Sequence, residues 1–152
     1  MFHTSVEIVS DLSKISEVEE FIDSIMEECH MEATYRGILC TPLCEAVKNA
    51  IIHGNRMDRH KKVRILCQQD HGQWTFAVSD EGKGFSYENF TQQRITALSH
   101  GLSIIRTLCE EVTFQNNGST IVFRMLLPKP KQEAAPKEWI QKVMKQYFPQ
   151  YA

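Results

Sequence analysis

Glu45, Asn49 and His53 fall every four residues along EAVKNAIIHGN (45–55). Four residues is about one helical turn, so on a helix these three side chains stand on one face. Leu43, Val47, Ala50 and Ile51 form the apolar stripe that would meet a core. A polar stripe of this kind is either a solvated surface, where Glu, Asn and His are common, or the wall of a site. Ile52, close to it, is out of place on a face that simply meets water. Taken alone, the stripe leaves both readings open.

Two further segments carry residues suited to a ligand. In DEGKG (80–84), Asp80 stands where a strand pattern ends. Its carboxylate can accept a hydrogen bond from a ligand amino group. Gly82 and Gly84 let the backbone turn sharply and a flat ligand approach without a Cβ in the way. The same residues also suit a plain turn. In SHGLSII (99–105), Gly101 is expected to open a helix, and the free N–H groups of a helix start favour phosphate oxygens. An ordinary glycine before a helix reads the same way.

The elements that must position these residues follow from periodicity. TSVEIVS (4–10) alternates and is rich in β-branched residues, as a strand is. Ser16 and Glu19 have the spacing of a capping box, and Val18, Phe21, Ile22, Ile25 and Met26 then keep helical spacing to Cys29. A second helical pattern runs from Tyr35 to His53; Pro42 predicts a start near Thr41 or a kink there, and Gly54-Asn55 ends it. KKVRILCQQD (61–70) and QWTFAVSD (73–80) are strands joined by a short turn. Residues 91–100 are polar and weakly helical, and a helix is expected from Gly101 to Val112. VTFQ (112–115) and TIVFRMLLP (120–128) are strands around Asn116-Asn117-Gly118. KPKQEAAPKE reads as a linker or arm, and Trp139, Ile140, Val143, Met144 and Phe148 mark a short amphipathic helix. That helix either packs on the same domain or docks a partner. The order predicts an α/β two-layer sandwich, a mixed, mostly antiparallel sheet with helices on one face.

Bulk composition narrows the function classes. The 152 residues suit one domain with a real core, and 42% apolar with 24% charged residues is the balance of a globular protein. A formal charge of −2 gives no general attraction to nucleic acid or a membrane surface. No apolar run reaches the roughly 20 residues of a membrane helix, and MFHTSVEIVSD lacks the pattern of a signal peptide. The expected location is therefore the cytoplasm. Five cysteines without a C-x-x-C pair read as reduced and buried; Cys40 and Cys44, one turn apart, find no partners at a zinc spacing.

Taken in order, EAVKNAIIHGN, DEGKGF and HGLSIIRTLCEEVTF resemble the N-box and two glycine boxes of the GHKL ATPase superfamily. More narrowly they resemble the bacterial anti-sigma factor serine/threonine kinases, the switch-protein kinases. The resemblance spans roughly residues 4–127. It implies a Bergerat-type ATP-binding fold over 1–128, with 129–152 as linker and helix outside it. It implies ATP and Mg²⁺ as cofactors, with Asn49 holding the metal and Glu45 acting as general base on a serine or threonine hydroxyl. His53 would support the far end of the site. Asp80 would bind the adenine amino group, Gly82 and Gly84 would shape its pocket, and Thr120 would stand near it. His100, Gly101 and Leu102 would offer N–H groups to the phosphates.

The implied partners are a sigma factor or similar regulator and an antagonist protein that is phosphorylated, with a homodimer as the assembly. The alternative is a weakly catalytic or non-catalytic binding module on the same fold. One departure favours a stiff phosphate lid: Ser99 and His100 stand where the family has a second glycine before the Gly-Leu pair, and residues 85–98 contain no glycine.

Overall fold

The computed structural model describes residues 1–84, 92–127, 137–147 and 149, and all their side chains except those of 92–99, 137–140 and 147. The expected loop beyond Gly84, the Pro- and charge-rich arm after Leu127, and Phe148 lie outside the described residues, as do the side chains of Trp139 and Ile140.

The chain runs β1 (Phe2–Val9), α1 (Ile15–Glu28), α2 (Arg36–Asn49), β2 (Lys62–Asp70), β3 (Gln73–Ser79), α3 (Gln92–Leu108), β4 (Glu111–Gln115), β5 (Thr120–Leu126) and α4 (Lys137–Tyr147). The strands form one sheet in the order β1-β2-β3-β5-β4. Every pairing is antiparallel, so the expected parallel component is absent among the described residues. For two of the four pairings, β2 with β3 and β4 with β5, the reason is loop length. His71 and Gly72, both with positive φ, make a two-residue hairpin between β2 and β3, and the 116–119 turn joins β4 to β5. Neither is long enough for a parallel crossover.

One sheet face is apolar by strict alternation. Val63, Ile65 and Cys67 of β2, Trp74, Phe76 and Val78 of β3, and Ile121, Phe123 and Met125 of β5 are all buried. The register aligns them in rows, Ile65–Val78–Ile121 and Cys67–Phe76–Phe123. Phe76 stacks on Phe123 with centroids 5.5 Å apart. Against this face pack Val18, Ile22 and Ile25 of α1, Leu39, Leu43 and Val47 of α2, and Ile104 and Ile105 of α3. The other face keeps Leu66 and Leu126 exposed, so the architecture is the expected two-layer sandwich.

Two local expectations change, and the alternatives at Pro42 are narrowed. The entry to α1 is capped by Asp11, whose carboxylate accepts the Ser13 N–H at the head of a 3₁₀ turn over Leu12–Lys14, rather than by Ser16. The 3₁₀ turn leads straight into the helix and leaves Ser16 inside its first turn. Helix α2 begins at Arg36 and runs through Pro42. Ile38, Leu39, Cys40, Thr41 and Leu43 around the proline are buried, so core packing outweighs one lost backbone bond. Helix α3 does not open at Gly101 but at Gln92, nine residues earlier. Without a glycine, residues 92–100 simply extend the helix.

Helix α4 lies on the helical layer. Val143 is buried, and a Cβ placed on Gly37 would come within 2.8 Å of Met144 Sδ, so the tail helix meets the first turn of α2.

Candidate functional site

Helix α2 carries the 45–53 stripe to the point where the helix widens. After Asn49 the backbone takes a π-helical turn over Ala50–Gly54, closed by the Asn55 N–H bonding the Ala50 carbonyl at 2.8 Å. Such turns re-aim side chains and recur at functional sites. Here the turn delivers His53 and Gly54 toward the end of β3.

At that end stands Asp80. Its carboxylate accepts the Gly82 N–H at 2.8 Å, and its own N–H donates to the Ser119 carbonyl at 2.9 Å. Space here is tight. A Cβ on Gly54 would lie 2.2 Å from the Asp80 carboxyl carbon, and one on Gly82 would lie 2.2 Å from the Gly54 carbonyl oxygen. Gly84 has φ +74 and abuts the Asn117 carbonyl. Gly54 and Gly82 therefore bring two backbone segments to one carboxylate, while Gly84 seats the same turn on Asn117.

Between Asn49 and Asp80 opens a cleft on the helical side of the sheet. Its lining is largely apolar, with Ala46, Ala50, Val78, Leu102, Phe114 and Ile121, and its polar side chains include Asn49, His53 and Asp80. Glu45 sits beside it, one turn before Asn49, in an ion pair with Lys48 at 3.5 Å. Among the described residues, the Nδ2 atom of Asn49 finds no hydrogen-bond partner, and it is buried.

A model of the histidine kinase-like ATPase domain family matches residues 8–125. The chain belongs to that family. A comparison with curated proteins finds no match. Among solved structures, the RsbU and RsbW domains of Rv1364c from Mycobacterium tuberculosis superpose with a TM-score of 0.61 at 13% identity, over 89% of this chain. This chain spans only 35% of that one, so the likeness speaks for the fold.

Within this ATPase-type domain, the structure brings Asn49, His53, Asp80 and Leu102 to one cleft. Other sequence-nominated residues stand apart from its walls. The Thr120 hydroxyl is held by Ser79 Oγ at 2.8 Å, and strand alternation puts it on the sheet face opposite Ile121. His100 is exposed. Gly101 presses on the α2 stripe, where an added Cβ would lie 3.0 Å from Glu45 Oε2 and 3.3 Å from Asn49 Nδ2. The N–H groups of residues 100–102 lie inside α3, where the backbone ladder takes them up, rather than at a helix start. Two further contributors are Gly54 and Asn55, which the sequence pattern assigns only to the end of a helix. The G-N pair directly after the stripe was the available signal.

The cysteines take no part. All five are free, and burial pushes the Cys40, Cys67 and Cys109 thiols up to about 12 and Cys44 up to about 11. Such thiols stay protonated and are poor ligands and nucleophiles. Among the described residues, no three His, Cys, Asp or Glu side chains group as a cation site, and no helix is long and apolar enough to cross a membrane.

Burial holds the Asp80 carboxyl above the ordinary carboxylate range, partly offset by the Gly82 N–H and the charge of Lys61. A raised folded value means that folding favours the protonated acid. The cost of ionising it is absent at pH below the unfolded value and fully present above the folded one. Asp80→Asn keeps an acceptor for Gly82 and carries no charge. It is expected to raise the melting temperature at neutral pH and to leave it unchanged near about pH 3, where both states hold the proton. Thermal denaturation at the two pH values checks this.

Proposed function

We propose that the cleft binds ATP with Mg²⁺, and that the domain is a protein serine/threonine kinase acting as an anti-sigma factor in a partner-switching pathway. The observation that carries the reading is the placement of Asn49 and Asp80 on one apolar cleft, with Glu45 a turn away. Apolar walls suit the faces of adenine, and Asp80 is an acceptor for its amino group. Family membership supports ATP as the ligand.

A divalent ion fits the residues present in one way. Mg²⁺ keeps several waters and takes few protein ligands beside substrate phosphates, so a single amide, Asn49, is enough to hold it. The amide oxygen of Asn49 would be the metal ligand, and its buried Nδ2, without a hydrogen-bond partner among the described residues, is a donor left for a ligand acceptor such as a phosphate oxygen. The bound ion would supply neutralisation of phosphate charge. Glu45, on the preceding turn, would take the proton of an acceptor hydroxyl as its oxygen bonds the γ-phosphorus and the bond to the β-phosphate oxygen breaks, leaving ADP. The proposed partners are a sigma factor or similar regulator and an antagonist protein as phosphate acceptor, with a homodimer as the assembly.

A second reading, a binding module with little catalysis, draws on one observation. Helix α3 is continuous through Gly101 and lies against Glu45 and Asn49, so phosphate binding by N–H groups of 100–102 requires that helix to unwind. Titration calorimetry with ATP and ADP, each with Mg²⁺, tests the site; micromolar binding is expected, and no heat with either nucleotide would overturn it. Labelling of a protein in an extract of the source organism from γ-labelled ATP tests the kinase. Glu45→Gln is expected to abolish labelling while ATP affinity stays within about twofold. Nucleotide binding without label transfer by the unmodified chain would favour the second reading.

A further inference from the structure

Asn55 is 1% exposed, yet it is polar and lies just beyond the helix that carries Glu45 and Asn49. Its Nδ2 donates to the Lys62 carbonyl at 2.9 Å, and its Oδ1 accepts the Glu81 N–H at 2.8 Å. Its backbone closes the π-helical turn through Ala50, and its carbonyl accepts the Asp58 N–H at 3.1 Å. One side chain thus ties together the end of the helical stripe, the start of β2 and the residue after Asp80.

We infer that Asn55 is a positioning residue of this site, which fixes the Asp80 carboxyl relative to Asn49 and thereby sets the preference for adenine over other bases. The inference rests on the nucleotide reading of the cleft. Its physical basis is the polarity of the two groups Asn55 joins. Lys62 offers an acceptor and Glu81 a donor, so the linker must carry one of each in a fixed plane, as a primary amide does. The clamp is needed because Gly54 and Gly82 bring their backbones against Asp80 so closely that a small relative shift would displace the carboxylate. Asn55 is not among the residues that line the cleft, so its effect on base selectivity runs through the two segments it joins, the Gly54 turn and the Glu81 backbone next to Asp80.

Asn55→Ala and Asn55→Asp test this in the full chain. Asn55→Ala is expected to weaken ATP binding at least about tenfold, to narrow the ATP-over-GTP preference by a similar factor, and to speed hydrogen exchange at the Glu81 amide. A folded Asn55→Ala protein with unchanged affinity and base preference would overturn the inference. If Asn55→Ala does not fold, Asn55→Asp decides. Protonated, its carboxyl can donate to Lys62 and accept from Glu81; ionised, it loses the donor. ATP affinity and base preference relative to the unmodified chain should therefore recover as pH falls, and a flat ratio would overturn the inference. If the unmodified chain binds no nucleotide, the nucleotide reading and the selectivity role fall together. Glu81 exchange then still separates an Asn55 clamp, slow in the unmodified chain and fast in the variant, from no clamp at all.

Discussion

Gly54→Ala is expected to abolish nucleotide binding and to destabilise the fold by about 1–3 kcal/mol, the usual cost of overpacking a tight site. The reason is space rather than backbone conformation, since Gly54 is not among the residues with positive φ. The new methyl would arrive 2.2 Å from both Cγ and Oδ2 of Asp80. Asp80 has little freedom to yield. Its carboxylate is tied to the Gly82 N–H, its backbone is tied to Ser119, and Gly82 is itself packed on the Gly54 carbonyl. Either the end of α2 or the glycine turn must move, and both moves separate Asp80 from the cleft wall. Urea denaturation gives the stability change and calorimetry the binding change. Wild-type stability together with wild-type ATP affinity would show that the contact relaxes at no cost.

Asn49→Ala is expected to do the opposite to stability. Nδ2 of Asn49 is buried with no hydrogen-bond partner among the described residues, and an unpaired buried donor costs about 1–3 kcal/mol. Removing it should leave the free protein at least as stable as the unmodified chain. Affinity for Mg²⁺-ATP should fall on the order of 100-fold, or ~2.7 kcal/mol, the scale of a lost contact to a charged ligand. Affinity measured with EDTA in place of Mg²⁺ should change little, because apolar walls and Asp80 remain. A variant that is stable but blind to Mg²⁺ would mark Asn49 as a residue kept for a ligand. Equal losses with and without Mg²⁺ would mark it as part of the general wall instead.

Much of this was legible along the chain because the signals are local. The strand patterns at 61–70, 73–80 and 120–128 correspond to β2, β3 and β5, and Asp70-His71-Gly72 and Asn116-Asn117-Gly118 marked the two hairpins, since positive φ is a property of a few residue types. The spacing of Glu45, Asn49 and His53 predicted a shared face, and Asn49 and His53 do share the cleft with Asp80.

What only the tertiary structure decided depends on contacts between segments distant in sequence. Core packing carried α2 through Pro42, so that the helix starts at Arg36 rather than near Thr41. The start of α3 at Gln92 puts Gly101 in mid-helix against Glu45 and Asn49, so a glycine that reads as a helix opening serves instead as a close contact. Thr120 points to the far side of the sheet because its neighbour Ile121 fills the core side, and strand alternation allows no other choice. Gly54 and Asn55 became part of the site only when β2 and the turn after β3 came to rest on them. A glycine is required by the atom that presses on it and a buried amide by the two groups it joins, and in both cases those atoms belong to residues far along the chain.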